Sequence, residues 1–127
     1  MPLVRIDLRR GKSRAFKQTL TTEIYEAMRE TYNVPEHDRF MVISEHDEGN
    51  LVFDRSYLGI ERSDDFVIIQ LTVSNTRPQE TKQAFYARLV ERLCKRPGLR
   101  PEDVFVNFVE VVKENWSFGN GVAQYVV

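Results

Sequence analysis

One plan, a strand followed by an amphipathic helix and a second strand, is written twice along this chain. That repetition restricts the fold more than any other feature. In the first copy Val4, Ile6 and Leu8 alternate with mostly polar neighbours, the period of a half-buried strand. Gly11-Lys12-Ser13 breaks the strand and puts Ser13 in place as an N-cap. Phe16, Leu20, Ile24 and Met28 then recur at every fourth position, with Ala27 beside them, as on one face of a helix. Pro35 restricts Val34 and predicts the end of that helix near Asn33. Phe40-Met41-Val42-Ile43 reads as a second strand, residues 45–50 as a polar turn, and Leu51-Val52-Phe53 as a short strand after it.

In the second copy, Phe66 to Val73 is nearly all apolar, which predicts a strand buried on both faces. Pro78 suits the first position of a helix whose apolar face is Phe85, Leu89 and Leu93 with Tyr86 and Val90. Pro97-Gly98 stops it, and Val104 to Val109 closes the pattern as a strand. The copies also share letters. Pro35-Glu36, Asp38, Phe40 and Glu45 match Pro101-Glu102, Asp103, Phe105 and Glu110 when one residue is skipped at His37. The expectation is an α+β fold, one domain over residues 1–127 with pseudo-repeats 2–63 and 64–127. Each repeat is a right-handed β-α-β unit, and together they make a four-stranded mixed sheet with both helices on one face. Such a sheet leaves its other face bare, and an oligomer is the simplest way to cover it.

The composition excludes several function classes. Eighteen basic residues nearly cancel nineteen acidic ones for a net charge of −1, and neither sign forms a block, so nucleic acid and anionic membrane have no electrostatic claim as partners. The apolar runs are too short to span a bilayer, and the first residues lack a signal-peptide core. The one cysteine, Cys94, cannot pair internally, which fits a reducing cytoplasm.

Pro2 is the first candidate for chemistry. When the initiator methionine is removed, a proline here becomes a secondary amine held rigidly at the start of a strand. An α-amino group titrates at about 7.7–8.0. Apolar walls or cations lower that value and a carboxylate raises it, so the amine can serve as base or acid near neutrality. Asp38 precedes a strand, where its carboxylate can point out of the sheet end or pair with Arg39. Arg77 sits between the most apolar strand and the second helix, a position suited to gripping a carboxylate with two parallel hydrogen bonds. Residues 116–121 place Trp116, Phe118 and two glycines in one short loop, the makings of a pocket wall or a subunit contact. Other groups fall away. His37 and His46 with their acidic neighbours lack metal-ligand spacing, Cys94 has no placed base, and Ser44 and Ser117 have no histidine partner. Gly119-x-Gly121 is too short for a phosphate loop, so neither metal nor cofactor is expected.

Four segments together resemble malonate semialdehyde decarboxylase and its relatives in the tautomerase superfamily. They are Pro2-Leu3-Val4, residues 34–40 (Val34 to Phe40), residues 81–86 (Thr81 to Tyr86) and the 115–119 loop (Asn115 to Gly119). The resemblance covers essentially the whole chain. It implies the tautomerase/MIF-like fold, a homotrimer with sites near subunit boundaries, Pro2 as the acid–base residue, Asp38 and Arg77 as catalytic partners, and Trp116 and Phe118 as substrate-binding walls. One position departs. Where the decarboxylase pattern has a second arginine, this chain has Asn75, placed against the substrate by the same correspondence. Losing that arginine weakens the case for decarboxylation. Keto–enol tautomerisation of a small 2-oxo acid is therefore the first expectation. Decarboxylation or hydration of a three-carbon oxo acid comes next, and a non-catalytic ferredoxin-like binding module is the rival from another class.

Overall fold

The computed structural model describes residues 2–126. Its strands are β1 (Leu3–Arg9), β2 (Phe40–His46), β3 (Val67–Ser74) and β4 (Val104–Val111), and its helices are α1 (Arg14–Tyr32) and α2 (Gln79–Lys95). They form one mixed sheet in the order β2-β1-β3-β4. β1 runs parallel to β2 and β3 parallel to β4, while β1 and β3 meet antiparallel at the centre.

The alternation in each strand decides which face is covered. Val4, Ile6 and Leu8 of β1 and Val67, Ile69, Leu71 and Val73 of β3 point into a core shared with Leu20, Ile24 and Met28 of α1 and Phe85, Leu89 and Leu93 of α2. Burying each such side chain fully contributes about 1.5–3 kcal/mol. Both helices lie side by side on that face, as the patterning predicts. The opposite face stays open. Phe40 is 50% exposed and Phe105 46%, and Ile68, Gln70 and Thr72 of β3 are only half covered. The expectation that β3 is buried on both faces is thus corrected: only one face meets helices within this chain.

Local chemistry sets the boundaries. Ser13 Oγ accepts the Phe16 N–H at 3.0 Å, and α1 ends at Asn33, whose φ of 54° is the left-handed conformation that asparagine tolerates. Pro78 is the N-cap of α2 rather than its first helical residue. Phe66 stands just before β3, not in it. The expected strand at Leu51-Val52-Phe53 does not form. β2 is already the sheet edge, so the chain leaves it through a 3-10 turn, Glu48–Asn50, and Leu51 and Phe53 pack against the body of the chain instead. Leu51 is buried, Phe53 stacks on Phe66 with centroids 4.3 Å apart, and Val52 is 87% exposed.

Positions 65 apart correspond with notable regularity, even in their ion pairs. Lys17 holds Glu45 at 2.9 Å, and Lys82 holds Glu110 at 2.9 Å (82 − 17 and 110 − 45 both give 65). The 3-10 turn Glu48–Asn50 after β2 has its counterpart, at the same offset, in Lys113–Asn115 after β4.

Candidate active site

The antiparallel pairing of the central strands brings four chain segments to one end of the sheet. Leu3 at the start of β1 pairs with Thr72 near the end of β3 and with Phe40 at the start of β2. Ser74 at the end of β3 pairs with Val111 at the end of β4. Pro2, the 38–40 segment, the 74–77 loop and the 113–118 loop are therefore neighbours, although they lie far apart in sequence.

Two adjacent cavities occupy this end. The larger, about 340 Å³, is lined by Asp38, Ser74, Arg77, Lys113 and Tyr125, with Asn33, Val34 and Pro35 from the end of α1. The smaller, about 230 Å³, is lined by Pro2, Leu3, Phe40, Trp116, Ser117 and Phe118. An aromatic partition links them. Trp116 and Phe118 stack nearly parallel at 5.4 Å, and Phe118 meets Tyr125 edge-on at 5.0 Å. Trp116 Nε1 donates to Ser74 Oγ at 3.1 Å, tying the smaller cavity's wall to the floor of the larger.

Arg77 is fixed before any ligand arrives. Its guanidinium donates to the Tyr32 carbonyl at 2.7 Å and to Thr76 Oγ1 at 2.6 Å, and it lies over the Tyr32 ring at 5.6 Å. It makes no ion pair with a carboxylate among the described residues. The Tyr32 hydroxyl is buried without a hydrogen-bond partner among the described residues, and burial first, then the Glu110 charge, pushes it up to about 12, so it stays neutral. Asp38 is carried by a loop pinned from α1: Tyr25 Oη accepts the His37 N–H at 3.1 Å, and His37 adopts a φ of 70°. Arg39 does not serve as Asp38's ion-pair partner. It turns to Thr21 and Thr22 at 3.1 and 3.3 Å and lies over Tyr25.

The structure thus brings Asp38 and Arg77 together, and Pro2 together with Trp116 and Phe118, in cavities that share a wall. Pro2 is buried; Met1, on whose removal its chemistry depends, lies outside the described residues. Asn75 lines neither cavity. It is exposed, and its backbone N–H donates to the Val111 carbonyl at 2.9 Å. Sequence reasoning missed Lys113, Tyr25, Tyr125 and Gln124. Gln124 clasps the glycine turn, accepting from the Phe118 N–H at 2.9 Å and donating to the Gly119 carbonyl at 2.8 Å. Only Tyr25 carried a signal, as an aromatic on the loop-facing side of α1.

The discarded candidates are accounted for elsewhere. His46 pairs with Asp7 at 2.6 Å, and His37 is exposed. No cluster of three metal-ligating side chains exists among the described residues. Burial, followed by the Glu102 charge, raises the Cys94 thiol's pKa, which disfavours the thiolate. No helix among the described residues is long and apolar enough to cross a membrane.

Known proteins agree with this architecture. Two family models described as tautomerase enzyme match residues 38–119 and 2–60. A probable tautomerase of Bacillus subtilis (strain 168), YusQ, is 40% identical, with 99% of each chain covered. The crystal structure of malonate semialdehyde decarboxylase, a protein with decarboxylase and hydratase activities, superposes with a TM-score of 0.93 at 33% identity, covering 98% of this chain and 95% of that one. A symmetric trimer of fused 4-OT shares the fold alone, with a TM-score of 0.79 at 17% identity and 97% of each chain covered. With a relative at that identity over nearly the full length, and the same sheet and helices in a solved decarboxylase, the chain belongs to the tautomerase superfamily, in its malonate semialdehyde decarboxylase-like branch.

Proposed function

We propose that this protein moves a proton between carbon and oxygen of a small 2-oxo acid, with the Pro2 nitrogen as the base once Met1 has been removed. The carrying observation is the surroundings of Pro2. It is buried in a cavity whose other walls among the described residues are Leu3, Phe40, Trp116, Ser117 and Phe118, none of them charged. Apolar walls disfavour the ammonium form and lower the amine's pKa, leaving a neutral lone pair at physiological pH. The neighbouring cavity supplies what such a substrate needs at its other end. Arg77 is preset to receive the carboxylate in a two-pronged contact, and Asp38 orients the reacting group or a water. Trp116 and Phe118 form the partition across which the substrate's two ends are held, and they exclude bulk water from the amine.

The exposed apolar stripe of Phe40, Val42, Phe105 and Val109 on the open sheet face is, in this reading, covered by two further copies of the chain in a homotrimer. A symmetric trimer in a protein of the same fold supports it.

Decarboxylation or hydration of a three-carbon oxo acid is the second reading, favoured by the similarity to malonate semialdehyde decarboxylase, a protein also studied with its first residue, a proline, changed to alanine. It asks for a protonated Pro2 acting as acid, so the limb of the pH–rate profile separates the two.

The deciding experiment follows ketonisation of an aryl enolpyruvate by ultraviolet absorbance for the native protein and Pro2→Ala, with intact mass measured on both. The expected result is a native mass lacking Met1 and a loss of about 10²–10⁴-fold in the variant. A retained Met1, or no ketonisation above buffer by the native protein, overturns the reading.

A further inference from the structure

Among the described residues, three charged ones line the larger cavity, and one of them has no place in the proposed proton transfer. Asp38 comes from the α1–β2 connection, while Arg77 and Lys113 come from the ends of the adjacent parallel strands β3 and β4. Lys113 makes no ion pair among the described residues. Asn75, which replaces a second arginine in the decarboxylase-like pattern, faces neither cavity. Among the described lining residues Arg77 and Lys113 are the two cations, and Asp38 is the one acid.

The proposed reaction changes the substrate's charge. A 2-oxo acid enters as a monoanion. When the base takes the proton from the carbon beside the carbonyl, that C–H pair becomes the carbon–carbon double bond and the carbonyl pair moves onto oxygen. The enolate is then a dianion, with negative oxygens on adjacent carbons, until a proton is returned to the oxygen or the carbon. Arg77 can meet the carboxylate, but a second negative oxygen beside it, in a cavity that also holds Asp38, needs a second cation. An electrostatic partner placed where charge develops is among the largest contributors to such a step.

We infer that Lys113 supplies that cation, stabilising the enolate oxygen, and that the larger cavity is therefore selective for planar dianions over monoanionic acids. The proposal rests on the tautomerase reading and assigns to the turn after β4 the role lost at residue 75.

Trp116, the chain's one tryptophan, is bonded to the cavity's Ser74 and so reports binding directly by fluorescence. Oxalate, a dianion that mimics the enolate, and pyruvate, a monoanion, are titrated into the native protein, Lys113→Met and Lys113→Arg. The methionine variant is expected to weaken oxalate about 30- to 100-fold and pyruvate no more than about 3-fold, with arginine restoring most of the oxalate affinity. Turnover of an enolpyruvate by Lys113→Met is expected to fall about 100-fold in kcat with KM nearly unchanged.

Equal weakening of both ligands, or of neither, overturns the assignment, because a structural or merely diffuse cationic role does not distinguish them. The two readings fail separately. A native protein without turnover whose oxalate preference still depends on Lys113 loses the tautomerase reading and keeps the dianion site. Full turnover by Lys113→Met does the reverse.

Discussion

The two ends of the sheet share a backbone scheme and differ in what fills it. At the candidate site, Asp38 precedes β2, Arg77 follows β3 and Lys113 follows β4 around an open cavity. Sixty-five positions away stand their counterparts: Asp103 before β4, Lys12 after β1 and Glu48 after β2. There the connection from β2 to β3 folds into the equivalent space. Ser63 donates its N–H and its hydroxyl to Asp103 at 2.7 and 2.6 Å, Asp65 takes Lys12, and Asp64 takes Arg9 at 3.1 Å. Arg100 closes the cluster on the Glu61 carbonyl at 3.0 Å. One end satisfies its charges with its own chain and so serves stability, whereas the other keeps an arginine and a lysine on the lining of a cavity, available to an anion. The duplicated architecture supplies an internal control for function, position by position.

Removing the cation at each end should give the widest separation. Arg77→Met is expected to lower kcat/KM for an enolpyruvate by about 10²–10³-fold, because it removes a preset charge aimed at the substrate's carboxylate. Its counterpart Lys12→Met removes an exposed pair with Asp65 and should leave turnover within about 2-fold, with a stability cost of ~1 kcal/mol or less. Parallel steady-state kinetics decide it. Comparable activity losses in the two variants would dissolve the distinction between the ends.

The aspartates should separate in the opposite sense, through stability. Asp103 is 0% exposed and accepts both hydrogen bonds from Ser63, so Asp103→Ala leaves those donors unsatisfied. A loss of about 3 kcal/mol is expected, or a fall of about 12 °C in Tm for a chain of this length. Asp38→Asn keeps the shape and should move Tm by no more than about 2 °C while reducing turnover at least about 10-fold. Thermal unfolding of both variants tests this, and a large Tm loss in Asp38→Asn would mean that the open end is structural too.

Patterning carried the fold because it depends on local rules. Alternation at Val4, Ile6 and Leu8 fixes a face, Ser13 and Asn33 fix the ends of a helix, and the parallel crossover rule fixes the rest. It failed at Leu51-Val52-Phe53, where Leu51 and Phe53 pack against the body of the chain and pair with no strand, since only tertiary context tells an edge strand that it has no neighbour. The site divides in the same way. Pro2, Asp38, Arg77, Trp116 and Phe118 were singled out by their places at element boundaries and by the family resemblance, and the structure gathers them on two cavities at one end of the sheet. Lys113 was not, because a lone lysine on a polar turn reads as solvated surface until β3 and β4 are known to end side by side. Asn75 shows the converse: a correspondence along the sequence placed it at the substrate, and the strand geometry turns it to solvent.

The seam between the halves is charged asymmetrically, which gives the smallest expected effect. α1 contributes acids, Glu23 and Glu30, while α2 contributes Arg88 and Arg92, with Arg96 just beyond its end. Glu23 and Arg88 occupy equivalent positions with opposite sign (88 − 23 is 65), so each half is complementary to the other and not to itself. Hydrogen bonds from Arg88 and then Arg92 pull the Glu30 carboxyl down to about 2 from 4.5. A carboxyl with a depressed folded pKa contributes stability that is fully present above its unfolded value and is lost as pH falls through the folded one. The native protein should therefore lose this contribution between about pH 4.5 and 2, and Glu30→Gln should be flatter over that window. Glu30 is 36% exposed, so after solvent screening the difference should be ~1 kcal/mol or less. Tm measured against pH for the two proteins checks it, and parallel curves would show that the arginine fork on Glu30 adds nothing to the joining of the two halves.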